Sequence, residues 1–142
     1  MGKLTGKVAI VTGAGGGLGR AHAMLLAHEG AAVIVNDLGG SRDGTGSGSS
    51  MADTVVDEIK AAGGQAAANY GSVTDDGAAE SMVKSAVDNF GRLDILINNA
   101  GILRDRSFKN MTDAEWDAVI DVHLRGSYLA TKHAWQQMMS QG

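Results

Sequence analysis

The sequence predicts an α/β fold: a doubly wound parallel sheet whose four strands lie in the order 3-2-1-4, with helices on both faces. Three observations carry that prediction. Short β-branched runs alternate with stretches of helical periodicity, in the sense βαβαβαβα. The runs are apolar through their middles rather than alternating, as strands buried on both faces are. A glycine cluster separates the first run from the first helix, where a ligand-binding α/β sheet places its tightest turn.

Lys7 to Thr12 (KVAIVT) is the first strand, and Gly13 to Gly17 breaks it. Leu18 to Glu29 follows as a helix. Leu18, Ala21, Leu25 and Glu29 share one face, with Met24 and Leu26 beside it, and Gly30 is the C-cap. Ala32 to Asn36 (AVIVN) is the second strand, completing a βαβ unit with a right-handed crossover. Leu38 to Ser50 holds five glycines and four serines, and reads either as a flexible connector or as a lid beside a cofactor or substrate. A helix from Ser50 or Met51 to Ala62 ends at Gly63-Gly64, and Gln65 to Tyr70 is a third, weaker strand. Asp75 to Phe90 is helical, with Met82, Val83, Ala86, Val87 and Phe90 on one side and Gly91 as its stop. Leu93 to Asn98 (LDILIN) is the fourth strand, apolar on both faces through Leu93, Ile95, Leu96 and Ile97. Thr112 is an N-cap and Glu115 completes a capping box. From there to Met139 the chain reads as helix, broken near Gly126. Its apolar residues Val119, Ile120, Val122, Leu124, Leu129, Trp135, Met138 and Met139 read first as core.

Composition narrows the function classes. The chain has 142 residues, the size of one domain, and 44% are hydrophobic against 20% charged, which argues against disorder. Glycine numbers 21 and proline is absent, but glycine has no three-residue period, so collagen is excluded. A net charge of −4 disfavours nucleic-acid binding through a basic surface. With no cysteine, disulfide frameworks, thiolate zinc sites and cysteine nucleophiles are ruled out. His22, His28 and His133 have no metal-ligand spacing, so no metal is expected. No secretory signal and no apolar stretch of about 20 residues is present, so a soluble, cytoplasmic protein without a membrane segment is expected.

The strongest local signal is Thr12 to Gly19 (TGAGGGLG), with glycines at 13, 17 and 19 between a strand and a helix. A pyrophosphate at a helix N-terminus needs close backbone approach and free N–H donors, and any Cβ there would hold it off. The helix dipole adds a partial positive charge. Gly19 also permits tight packing of the helix on its strand. A purely structural turn is the competing reading. Asp37 ends the second strand, 18 residues after Gly19, where a dinucleotide site places an acid against the adenosine ribose hydroxyls. Such an acid repels a 2′-phosphate, which favours NAD over NADP. A simple turn aspartate is the alternative, and Arg42 nearby would offset its charge.

These residues resemble the short-chain dehydrogenase/reductase family. Its T-G-x-x-x-G-x-G is matched by Thr12 to Gly19. Its N-N-A-G is matched by Asn98-Asn99-Ala100-Gly101, 79 residues after Gly19 and directly after the fourth strand. The resemblance covers the whole chain and implies a single Rossmann-like dinucleotide-binding domain over 1–142. More narrowly, NDLGG at Asn36 to Gly40, GILRDRSF at Gly101 to Phe108 and VHLRGS at Val122 to Ser127 are similar to the hydroxyacyl-CoA dehydrogenase domain of peroxisomal type 2 multifunctional enzymes and their bacterial relatives. That implies oxidation of (3R)-hydroxyacyl-CoA to 3-ketoacyl-CoA with NAD.

Carried over by position, the resemblance puts Gly13, Gly16, Gly17, Leu18 and Gly19 at the pyrophosphate and nicotinamide ribose, and Asp37 at the adenosine ribose. It puts Ser72 and Val73 along the adenine, although many relatives carry an acid or asparagine in place of Ser72. Asn99 and Gly101 would line the cofactor. Asn98 is expected to tie neighbouring strands, and Asp94 is either an adenine-pocket acid or a strand-start residue. His123 occupies a position where many relatives hold a relay water with an asparagine; a structural helix histidine is the other reading.

The family's catalytic serine and Tyr-x-x-x-Lys belong to elements beyond Gly142. The chain is therefore expected to be the N-terminal part of a longer fold, able to bind cofactor without turning over. Tyr128 and Lys132 share the spacing, but they lie upstream of the family's pair and no serine-bearing strand precedes them, so coincidence is expected. Arg104-Asp105-Arg106 is either solvated loop charge or an attractor of acyl-CoA phosphates. The implied partners are a small-molecule substrate and further copies of the chain, as a dimer or tetramer through the last helix. The rival reading is a non-catalytic, nucleotide-binding fragment.

Overall fold

β1 (Val8–Thr12), β2 (Ala32–Asn36), β3 (Gln65–Asn69) and β4 (Ile95–Ile97) form one parallel sheet in the order β3-β2-β1-β4, as the sequence predicts. The computed structural model describes residues 2–41, 43–46 and 48–142; Arg42 lies outside the described residues. The register sets Thr12 beside Asn36 and Asn36 beside Asn69, so the strands end flush and their following loops leave from one edge.

Every residue of β1 and β2 is buried, because helices cover both faces. Along β2 the alternation of side chains divides the core. Val33 and Val35 pack with α1 (Gly17–His28) and α2 (Ser50–Ala61), whereas Ala32 and Ile34 pack with α3 (Asp76–Phe90) and, through Ala134, with α5 (Gly126–Ser140). The chain winds to one side of β1 with β2 and to the other with β4. The crevice between β1 and β4 is therefore the switch point where such sheets bind ligands.

The structure corrects the expected face of α1. Gly19, Ala23 and Ala27 pack inward, while Leu18 and Leu25 are 75% and 60% exposed. The cause is proximity: a Cβ on Gly19 would stand 2.2 Å from the Gly13 carbonyl oxygen, so only a small-residue face fits against the sheet.

The last helical stretch also differs from expectation. α4 (Asp113–Ile120) runs through a π-helical turn, Asp121–Arg125, directly into α5; it widens rather than breaking at Gly126. A Cβ on Gly126 would stand 2.7 Å from Val73 Cγ2, so glycine here lets α5 approach the turn after β3. Leu129, Ala130 and Ala134 form the buried stripe, with Val122 and Met138 at the margin of the core. Ile120, Leu124, Trp135 and Met139 are exposed instead of core, because this continuous helical stretch has a layer beneath only one face among the described residues. The capping box is half formed. Thr112 Oγ1 accepts the Glu115 N–H at 3.2 Å, but the Glu115 carboxylate turns to Arg106 Nε at 3.2 Å. No helix among the described residues is long and apolar enough to cross a membrane.

Candidate dinucleotide site

The site is built from the residues that close β1. Thr12 is 1% exposed, and its hydroxyl accepts the backbone N–H groups of Asn99 at 3.0 Å and Ala100 at 2.9 Å. In return, Asn99 Nδ2 donates to the carbonyls of Thr12 at 3.1 Å and Gly13 at 3.2 Å. These bonds join the exit of β4 to the exit of β1. Asn99 is thus the residue that ties strand ends together, a task the sequence assigns to Asn98. Asn98 instead donates to Thr131 Oγ1 of α5 at 3.0 Å. Thr12 was the missed residue; its signal was a hydroxyl closing an otherwise apolar run.

Gly13 has φ +62° and Gly17 φ +52°, backbone that glycine adopts freely. The glycines then divide by what surrounds them. A Cβ on Gly13 would lie 2.9 Å from Ala100 Cα, and one on Gly15 2.7 Å from Asp37 Oδ2. A Cβ on Gly17 would meet no other part of the protein within 4 Å, and the nearest such atom to a Cβ on Gly16 is Met51 Cε at 3.5 Å. Leu18 is exposed beside them. α1 begins here with Gly16 as N-cap and no side-chain cap, so its first N–H groups face this open space with the positive end of the helix dipole.

Asp37 points back into the loop. Its Oδ2 accepts the Gly15 N–H at 2.8 Å and its Oδ1 the Gly39 N–H at 2.7 Å. A carboxylate has about four acceptor positions, so roughly two remain for a ligand's hydroxyls. Ser72 Oγ is bonded within its own turn, to Thr74 Oγ1 at 2.8 Å and Thr74 N at 3.2 Å. Val73 is 8% exposed and packs with Met82, Leu93 and Ala134, so a ligand would meet backbone at this position. Asp94 lies at the opposite end of the sheet. It accepts the Val8 N–H at 2.9 Å and pairs with Arg92 at 2.6 Å, which holds its carboxyl below the usual range. It is a strand-start tie.

Two surface grooves lie elsewhere, one near Lys7, Lys60 and Gln65 and one between α3 and α5 near Glu80, Lys84 and Ser140. Neither opens at the strand exits, where the open backbone donors and the oriented acid converge.

The family model described as short chain dehydrogenase matches residues 7–142. The chain belongs to the short-chain dehydrogenase family. It is 57% identical over 139 residues to "Peroxisomal multifunctional enzyme type 2" of Mus musculus, covering 98% of this chain and 18% of the mouse protein. It is 51% identical over 135 residues to "Hydroxyacyl-CoA dehydrogenase ChsB1" of Mycobacterium tuberculosis, covering 92% of this chain and 40% of that protein. A crystal structure of a short chain dehydrogenase from Mycobacterium avium superposes with a TM-score of 0.90 at 50% identity, over 98% of this chain and 50% of that one. The chain thus spans half or less of these relatives.

Gly101 is exposed next to His123: a Cβ there would lie 2.7 Å from His123 Cε1. His123 sits in the π-helical turn, with Nε2 at 3.1 Å from the Ile102 N–H and 3.0 Å from the Ile102 carbonyl. The contact ties the π-turn to the loop after β4. Lys132 Nζ lies 3.6 Å from Asp76 Oδ1, and the Tyr128 hydroxyl makes no hydrogen bond among the described residues. Arg104 Nε donates to the Asp43 carbonyl at 2.5 Å, and Arg106 pairs with Glu115, so both guanidinium groups have partners within the protein.

The glycine-rich loop is folded rather than loose where it is described. Gly48 N–H bonds to the Leu38 carbonyl at 2.9 Å and Ser41 N–H to the Thr45 carbonyl at 2.9 Å. Ser41 and Thr45 donate to the Asp43 carboxylate and hold its pKa down at about 2. The tip thereby reaches the segment after β4, through Arg104.

Proposed function

We propose that this chain carries the NAD site of an oxidoreductase that transfers hydride between NAD and a hydroxyacyl or ketoacyl substrate held as a CoA thioester. One observation carries the reading: an uncapped helix start beside the open Gly16–Gly17 rim, with an acid held one strand away by Gly15 and Gly39 N–H groups. That cradle fits a dinucleotide. Gly13, Gly16, Gly17, Leu18 and Gly19 would line the pyrophosphate and nicotinamide ribose, Asp37 the adenosine ribose, Ser72 and Val73 the adenine, and Asn99 and Gly101 the strand-exit wall. The cofactor, when bound, supplies the hydride acceptor. Asp37 orients the ribose and repels a 2′-phosphate, and His123 stands beside Gly101 at the proton-relay position.

The CoA-thioester class rests on the similarity to the Mycobacterium tuberculosis protein named a hydroxyacyl-CoA dehydrogenase. The glycine-rich loop from Leu38 to Ser50, folded where it is described, would be a lid across the cofactor, tied down by Arg104. The exposed Leu124, Trp135 and Met139 suit a homo-oligomeric face, dimer or tetramer. Residues 1–142 are read as one dinucleotide-binding unit working in the cytoplasm, although the mouse relative is named peroxisomal.

Titration with NAD and NADP tests the cofactor. Tighter binding of NAD is the expected result, and tighter binding of NADP overturns the assignment. The second reading is a nucleotide-binding unit without turnover, favoured by Lys132 being paired with Asp76. NADH formation from a (3R)-hydroxyacyl-CoA by residues 1–142, lost in Tyr128→Phe, would overturn it.

A further inference from the structure

Two polar side chains are buried in the described core, Thr12 and Asn36. Thr12 is explained by the junction of β1 with β4. Asn36, 2% exposed, ends a strand that is otherwise apolar, and an amide in such a place is tolerated only when it is hydrogen-bonded. Its Nδ2 donates to Asn69 Oδ1 at 2.8 Å and to the Gly71 carbonyl at 3.0 Å. Asn69 Oδ1 in turn accepts the Gly71 N–H at 3.0 Å. The Asn36 carbonyl accepts the Ala14 N–H at 2.8 Å, and the next residue's N–H, that of Asp37, donates to the Asn69 carbonyl at 3.0 Å. One residue therefore joins the glycine loop, the acid at position 37 and the turn that leads to Ser72.

We propose that Asn36 is a positioning residue for the adenosine half of the dinucleotide. This rests on the NAD reading above. Buried as it is, Asn36 has no surface to offer a ligand; it fixes the distance between Asp37 and the Gly71–Val73 turn, between which the adenosine lies. An apolar residue of the same size would fill the volume but leave the Gly71 carbonyl without its donor, freeing the turn to move.

Asn36→Asp tests this with almost no change of shape. The substitution turns the donor into an acceptor facing Asn69 Oδ1 and the Gly71 carbonyl. Asn69→Asp is the conservative control, since it keeps an acceptor for both Asn36 and the Gly71 N–H. The 142-residue chain and both variants are titrated with NAD, ADP-ribose and nicotinamide mononucleotide, followed by amide chemical shifts. Asn36→Asp is expected to weaken NAD and ADP-ribose about tenfold, the scale of one lost hydrogen bond, and to leave nicotinamide mononucleotide unchanged. Asn69→Asp should stay within about threefold of the parent for all three. Equal weakening of all three ligands in Asn36→Asp would show a merely structural role, and unchanged ADP-ribose affinity would also overturn the proposal. If Asn36→Asp fails to fold, the neutral, shorter Asn36→Ser is read against the same ligands with the same criteria. A parent chain that binds none of the three overturns the NAD reading itself and this proposal with it.

Discussion

The base and the rim of the glycine loop need glycine for opposite reasons. At the base a side chain would strike protein: a Cβ on Gly19 would lie 2.2 Å from the Gly13 carbonyl oxygen, and one on Gly13 2.9 Å from Ala100 Cα. At the rim it would strike almost nothing, since a Cβ on Gly17 would meet no other part of the protein within 4 Å. The base serves the fold, bringing α1, β1 and the exit of β4 together. At the rim no neighbour forbids a side chain; Gly17 answers to its positive φ, and the space above it is free for a ligand. Glycines two residues apart in one motif thus report on different things, and mutation can separate them.

The largest effect is expected at the base. Gly19→Val should destabilise the chain by about 3 kcal/mol or more, the upper end of overpacking, because backbone rather than a flexible side chain blocks the new atoms. Urea unfolding followed by circular dichroism measures it, and parent-like stability would mean that α1 does not need this contact. Gly17→Val should move the damage from fold to ligand. Its positive φ predicts a stability loss of about 1–2 kcal/mol, while NAD affinity falls about a hundredfold as the branched side chain fills the rim. A folded variant with parent affinity would put the phosphates elsewhere.

Asp37→Ala sharpens the picture of the rim. Loss of a charged hydrogen-bond acceptor should weaken NAD about tenfold and leave NADP nearly unaffected, narrowing the preference between them. Calorimetric titration with both cofactors would reveal an unchanged preference if another residue sets it. The smallest effect belongs to a site outside the loop. The hydrogen bond from His133 lowers the Asp76 pKa in the folded chain, so this carboxylate contributes stability above its unfolded value of 3.8 and loses it as the pH falls through the lowered one. The melting temperature of Asp76→Asn should therefore lie slightly below the parent at neutral pH and converge with it in acid, with NAD affinity unchanged at neutral pH. A gap that persists in acid would mean that the carboxylate's charge is not the cause.

Much of this architecture is legible in the sequence because buried parallel strands are nearly continuous apolar runs. KVAIVT and AVIVN are β-branched and apolar through their middles, as strands buried on both faces are, and the glycines between strand and helix fix where the chain turns. The packing face of α1 was not legible. Periodicity gives weight to Leu18 and Leu25, whereas the contact was decided by how closely backbone approaches backbone at Gly19, which selects Ala23 and Ala27 below it. The last helix failed for a related reason: apolar content at Leu124, Trp135 and Met139 says that a face is sticky, not which layer covers it. At the site, the position of Asp37 was readable from spacing, but the Gly15 and Gly39 N–H groups that aim it were not, since backbone donors have no signature in side-chain identity. Thr12 and Asn36 are polar ends of the apolar runs β1 and β2, and only three-dimensional partners explain their burial.

Amide chemical-shift mapping of the 142-residue chain during an NAD titration tests the division between base and rim most directly. The largest perturbations are expected at Gly16, Gly17, Leu18, Asp37 and Gly101, with the N-terminal end of the sheet unmoved. Shifts concentrated at Lys7, Lys60 and Gln65, or along the groove between α3 and α5, would show that the open rim is not where the dinucleotide binds.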